Sequence, residues 1–473
     1  LPRVRRMAVD LCAGRGLSVE DVCSASLNSP VNICEASLGA LRSSRATYES
    51  SPNVYGRSTG LGALASVREG EWEGREDKVL VEHDVGLGPQ APREVVRAAM
   101  VVRASQMAQG YAPVRPEVSA RLAEALNADV VPVVQLEGSV GASGDLAPLA
   151  RIARCIYRGD GMATYRGRVV RCSEALEQAG LKPIELAPGE ALAIINSNAF
   201  SVGMAALGVC ASLRLIRESL RVLSKTLSVT GCNPQHFSEA VADSKRLGGV
   251  REVIESMASS ACAKAPRLQD PYCIRCVPQV YGAALEALRF AEGVVEAEAS
   301  SSSDNPFVSG GSVYHACNFH AAGAAIAADV AKVALAHVGN MVERRTAHLL
   351  SQQTTGLPDF LAVKGTVVGA MIYQYAAASL AAKLRLLASP GSVHSIPTSG
   401  AQEDVVSMAP NAALDLLRAS AALARLIAVE DALASQAERV SGGLQPQDPR
   451  EAIETSVRRV VEAVGLGFLS GLA

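Results

Sequence analysis

The chain has 473 residues, of which 49% are hydrophobic, 19% charged and 4% aromatic, with a formal net charge of −2. That length exceeds one ordinary core, so two packed regions or one large oligomeric fold are expected. Mixed charge signs and scattered basic residues leave no nucleic-acid footprint.

Eleven cysteines at irregular spacings read as reduced thiols of a cytoplasmic protein rather than a disulfide framework. Cys273 and Cys276 form one C-x-x-C with no second pair, so no metal or redox motif is expected there. The opening LPRVRRMAVDLC has arginines but no long apolar run and no small-residue cleavage site, unlike a secretory leader. A start at Leu1 suggests a trimmed chain, and the abrupt end GLGFLSGLA suggests truncation there.

Through about residue 190 the pattern is mixed. KVLVEH (78–83) and VVPVVQL (130–136) are β-prone, while PREVVRAAMVVRASQMAQG (92–110) has helical periodicity. MATYRGRVVRCSEAL (162–176) reads as a small hairpin running into a helix. Beyond that point, residues 199–228, 278–300, 319–350 and 412–440 are long, alanine- and leucine-rich and periodic near 3.6. Several are apolar on all sides, which suits helices inside a bundle.

Gly- and Pro-containing breaks fall at 301–311, 389–400 and 441–449. The uncharged stretch 365–382 approaches membrane-span length, yet Gln374 and its small residues favour a helix buried among helices; no membrane segment is expected. The fold class predicted is mainly α: a mixed N-terminal region, 1–190, joined to an elongated helical bundle, 191–473.

Four polar clusters stand out. GSVGASGDLAPLA (138–150) is either a Gly-rich turn with Asp145 as N-cap of the next helix or a weak phosphate cradle, since no Lys-Ser/Thr follows. NVYGRSTGLGALA (53–65) places Tyr55 on a flexible loop, where a basic role would need its pKa well below the usual value of about 10. LQDPYCIRCVPQV (268–280) offers Asp270 as N-cap and Pro271 at the first helical position. There Gln269, Tyr272 and Arg275 step by three, and the arginine fork suits a carboxylate. PTSGAQEDVVSMAP (397–410) carries Glu403 and Asp404 at what could be an ordinary helix start.

Together with SDNP (303–306) and GG…NFH (310–320), these four clusters resemble one family: the ammonia-lyases that act on histidine and the aromatic amino acids. The resemblance runs from about residue 50 to about 430. It implies a fumarase/aspartase-like helical architecture and an electrophile, methylidene-imidazolone (MIO), formed without a helper enzyme from Ala142, Ser143 and Gly144. It implies Tyr55 as the base that removes the β-proton and counts Tyr272 among the catalytic residues. Arg275 would pair with the substrate carboxylate, helped by Gln269 and Tyr272; Asn196 would lie near the electrophile and Phe319 in the pocket.

Within the family, His83 and Glu403 match the histidine-specific members, where the phenylalanine and tyrosine enzymes carry leucine and glutamine. A carboxylate facing an imidazole gains a charge-assisted hydrogen bond, whereas beside a phenyl ring it is unpaired. The resemblance therefore implies L-histidine as substrate, with urocanate and ammonia as products. It also implies a homotetramer with shared active sites, no metal and no soluble cofactor.

Three features depart from the family pattern: Glu82 and Asp84 beside His83, Asn-Ser-Asn at 196–198 for Asn-Gly-Thr, and no acid–proline after Asn318-Phe319-His320. They leave open another aromatic or polar amino acid, an aminomutase outcome, or a non-catalytic homologue with an uncyclised loop. A fumarase-type lyase lacks support because no lysine follows the serines of SSSDNP. His320 is read as structural.

Overall fold

The structure, a computed structural model, describes residues 7–67, 74–258, 262 and 267–472. The opening LPRVRR and the final Ala473 lie outside the described residues. The fold is mainly α, as the periodicity predicts, with short strands confined to small sheets. Two compact units emerge: residues 1–207, 292–328 and 391–414 form one, and 208–291, 329–390 and 415–473 the other.

The first unit is built on helix Arg93–Ala108, in which every residue from Val95 to Ala108 is buried. Its alanines, valines and methionines leave no polar face, so it packs against helices Val19–Ser26 and Pro116–Asn127. Two arginines nonetheless lie in it. Arg97 donates to the carbonyls of Ala25 (3.0 Å) and Leu126 (2.9 Å), and Arg103 pairs with buried Asp304. Buried charge is tolerated here because each guanidinium is partnered.

VVPVVQL forms strands Val130–Pro132 and Gln135–Glu137, and the 162–176 segment folds as the expected hairpin and helix. KVLVEH does not form a strand: it lies in helix Arg75–His83. Glu76 and Asp77 in its first turn favour the helix dipole, and burial of Arg75, Glu76 and Leu80 fixes one face against the unit. That packing overrides the local preference of its valines.

The second unit holds most of helix Ala199–Thr230, together with parts of Val277–Ala299, Ala322–Leu349 and Ala409–Ser441 and all of Met371–Leu387. Arg345 and Glu430, both fully buried, form a bidentate pair at 2.6 and 2.8 Å. Tyr281 and Thr226 complete its hydrogen bonds. The stretches Glu190–Thr230 and Ala322–Leu349 are long and apolar enough to cross a membrane, and most of each is buried within the protein.

Two expectations need correction here. Residues 365–370 are turns, and the helix that follows, Met371–Leu387, is exposed along Ile372, Tyr375 and Leu386; glycines at 365 and 369 break the helix before the apolar run is used. The thiols are not all reduced: Cys12–Cys34, Cys155–Cys172 and Cys232–Cys262 are disulfides. Partners 17 to 30 residues apart are brought to Cα separations of 5.1–5.3 Å by the fold, which irregular spacing conceals.

Candidate active site

The chain leaves strand Gln135–Glu137 and enters helix Leu146–Ala153 through the Gly-rich loop. Gly141 and Gly144 have φ of +67° and +74°, the left-handed region that strains other residues. A Cβ on Gly144 would sit 2.4 Å from the Ser197 carbonyl oxygen and 2.8 Å from its nitrogen. The glycines are there because the loop lies directly on another stretch of backbone.

Asn196 Nδ2 donates to the Ser143 carbonyl at 2.7 Å, and the Asp145 N–H donates to the Ser197 carbonyl at 2.7 Å. On the other side Ser407 Oγ donates to the Gly141 carbonyl at 3.0 Å. Ser143 Oγ donates to Glu403 Oε1, while Thr398 Oγ1 donates to Oε2 of the same carboxylate at 2.7 Å. Asp145 stands at the N-cap position but makes no capping bond. Its carboxyl accepts instead from the Ser201 N–H and Oγ, both at 2.7 Å, and from Ser139 Oγ at 3.0 Å. Complete burial pushes its pKa from 3.8 up to about 6, against those hydrogen bonds.

Ala142 and Ser143 line a cavity of about 810 Å³ within the first unit. Tyr55, His83, Asn196, Phe319 and Glu403 line it too. The Tyr55 hydroxyl accepts from the Gly62 N–H at 2.8 Å, and its loop meets the Glu403 turn where the Ala63 N–H donates to Ser399 Oγ at 3.2 Å. Burial raises the Tyr55 pKa; the Gly62 bond opposes this and the nearby Glu403 charge adds to it. The shift is opposite in direction to the lowering a resting base would need.

His83 ends its helix with Nδ1–H donating to the Val79 carbonyl at 2.7 Å, which leaves Nε2 to meet a ligand. Of its unusual neighbours, Glu82 is exposed, whereas Asp84 is buried between Arg151 (2.9 Å) and Arg154 (2.8 Å). Asp84 is thus spent on holding helix Leu146–Ala153 and its continuation. His320 also lines the cavity and reaches the Val405 carbonyl at 3.3 Å.

Gln269, Tyr272 and Arg275 belong to the second unit and are not among the residues lining this cavity. Arg275 stacks over Tyr272, 4.7 Å from the ring centroid, and Tyr272 is exposed. Pro271, not Asp270, caps helix Tyr272–Arg275. Asp270 is buried and accepts from the Asn233 N–H (2.7 Å) and Arg267 Nε (2.7 Å), with His236 Nε2 at 3.1 Å.

Sequence reasoning missed His315, whose Nε2 accepts from the Tyr55 N–H at 3.3 Å. It also missed Ser407, since nothing local signals a contact made hundreds of residues away, and Thr398, whose bond to Glu403 spans five residues but depends on the turn between them. Among the described residues no group of three or more His, Cys, Asp or Glu is placed to hold a metal ion. Burial pushes the Cys273 thiol up to about 11, away from the low pKa of a reactive thiol.

A profile of the aromatic amino acid lyase family matches residues 17–463. The chain belongs to that family. It is 38% identical over 440 residues to a histidine ammonia-lyase of Paracidovorax citrulli, covering 89% of this chain and 86% of the relative. The histidine ammonia-lyase of Trypanosoma cruzi superposes with a TM-score of 0.86 at 25% identity, covering 98% of this chain and 95% of that one. A tyrosine aminomutase of Streptomyces globisporus gives 0.87 at 26% identity, with 98% of each chain covered. The family is MIO-dependent in general, and the chain is a carbon–nitrogen lyase.

Proposed function

We propose that the chain eliminates ammonia non-oxidatively from L-histidine, giving trans-urocanate, with MIO formed from Ala142, Ser143 and Gly144. The observation that carries this reading is the hydrogen bond from Ser143 Oγ to Glu403 in a cavity shared with His83 and Asn196. The loop suits the group: only glycine fits at 144, Asn196 holds the Ser143 carbonyl, and Asn196 Oδ1 is buried with no protein partner. That leftover acceptor suits the substrate ammonium.

MIO supplies an electrophile, which side chains lack, and so helps the amino group leave. The residues around it do the rest. When the Ser143 hydroxyl is lost on cyclisation, Glu403 Oε1 loses its donor and becomes open to an imidazole N–H. His83 Nε2 faces the same cavity and fixes the ring's orientation. Tyr55 takes the β-proton, and the Gly62 N–H stabilises the phenolate as it forms. Phe319 closes an apolar wall.

Arg275, with Gln269 and Tyr272, binds the substrate carboxylate; we assign these to sites shared between subunits of a homotetramer. We place the enzyme in the cytoplasm with its free amino acid substrate; thiol counting without reductant weighs that placement against the three disulfides.

The test is turnover of L-histidine followed by the near-ultraviolet rise of urocanate, with L-phenylalanine and L-tyrosine in parallel. Ser143→Ala is expected to abolish activity, and Glu403→Gln to lower kcat/KM for histidine by about 10- to 100-fold, the loss of one charge-assisted bond. Turnover confined to phenylalanine or tyrosine, or β-histidine as the main product, overturns the assignment.

A further inference from the structure

Beneath the Gly-rich loop lies a buried polar cluster, at the point where Asn196-Ser197-Asn198 replaces the family's Asn-Gly-Thr. Gln106, on the central helix of the first unit, is fully buried. Its Oε1 accepts from Ser197 Oγ at 2.6 Å and from Ser303 Oγ at 2.8 Å. Its Nε2 donates to Asn198 Oδ1 at 2.7 Å and to the Glu298 carbonyl at 3.3 Å. Asn198 Nδ2 in turn donates to Glu298 Oε2 at 2.8 Å. These partners permit one orientation for each amide, because a flip would set acceptor against acceptor.

The cluster grips the Asn196–Ser197 turn, and that turn makes two of the contacts that shape the loop: Asn196 to the Ser143 carbonyl, and the Ser197 carbonyl to the Asp145 N–H. Gly144 also packs on the Ser197 peptide. Cyclisation needs that shape. The Gly144 nitrogen bonds to the Ala142 carbonyl carbon, and the Ala142 oxygen leaves as water with the amide hydrogens of Ser143 and Gly144. The Ser143 hydroxyl leaves as a second water with the Ser143 α-hydrogen. An amide is a poor nucleophile, so small displacements of its backbone matter.

We propose that Gln106, bonded to Ser197 and to the Asn198 that Glu298 holds, is a positioning residue for cyclisation of the Ala142–Ser143–Gly144 loop. The proposal rests on the reading that this loop cyclises. Nothing in it requires Gln106 to touch substrate.

Intact mass of the purified full chain, followed with time after expression, separates the possibilities. Wild type is expected two waters light. Gln106→Leu and Asn198→Asp are expected to slow that loss by about 10- to 100-fold in protein that keeps its helical circular dichroism, with a midpoint lowered by the lost buried hydrogen bonds. Asn198→Asp sets two carboxylates together; adding Glu298→Gln reverses donor and acceptor and is expected to restore the two-water loss. A purely structural role would lower the midpoint without leaving folded, full-mass protein.

Folded single variants that lose both waters at the wild-type rate overturn the proposal, as does failure of the double variant to recover. A full mass in wild type overturns the cyclisation reading itself. Should Gln106→Leu fail to fold, the Asn198 and Glu298 variants decide the matter.

Discussion

Asp145 joins chemistry and stability at a single residue. Its carboxyl is fully buried beside the loop, with serines as partners and a pKa raised from 3.8 to about 6. A carboxyl that holds its proton more tightly in the folded state stabilises the fold while protonated. That contribution is complete below pH 3.8 and is lost as pH rises through about 6. Asp145→Asn keeps an acceptor for the Ser201 N–H and carries no charge. The variant is therefore expected to gain on wild type by roughly 2.5 kcal/mol between pH 4 and pH 8, at 1.36 kcal/mol per pKa unit. Denaturant unfolding at the two pH values measures this; a difference independent of pH would mean that the carboxylate is already accommodated at no cost. The residue pattern foretold a special backbone at 138–150, because glycine spacing is local information. It could not foretell that Glu403 meets Ser143, since those residues are 260 positions apart and only the fold joins them.

At the scale of elements, the long helices were readable because their apolar character runs all round: residues 199–228 and 412–440 became Ala199–Thr230 and Ala409–Ser441. Short segments were less so. KVLVEH has strand-like valines, yet burial of Leu80 and a first turn rich in acids made it helical. Helices this apolar could slide past one another, and the buried pair of Arg345 on Ala322–Leu349 with Glu430 on Ala409–Ser441 resists that. Arg345→Met leaves Glu430 charged and unpaired, with only Thr226 to bond it, and is expected to cost about 3–5 kcal/mol. Arg345→Met combined with Glu430→Leu removes the orphan charge, so most of that loss should return. Urea unfolding of the three variants checks it. A double variant as weak as the single one would show that the pair's hydrogen bonds to Tyr281, rather than charge balance, dominate.

For the whole molecule, the surface carries information that the single chain does not use. Helix Met371–Leu387 exposes Ile372 by 60%, Tyr375 by 64% and Leu386 by 77%, and their spacing places them on one stripe with Ser379 and Ala382. A second apolar feature, a cavity of about 450 Å³, lies between helices Val277–Ala299 and Ala322–Leu349, lined by Val280, Ala283, Val330 and Val333. Exposed apolar surface of this kind is characteristic of subunit contact. Ile372→Lys with Leu386→Glu is therefore expected to reduce the proposed tetramer to smaller species in light scattering. Activity should fall with it if Arg275, Tyr272 and Gln269 serve sites shared between copies. The loss of two waters should persist, because the loop, Asn196 and Glu403 all sit in one unit of one chain. Small species with full activity would make each site the property of a single chain. Small species at full mass would instead mean that the loop cyclises only within the assembly, which would place the folding of the electrophile after subunit association.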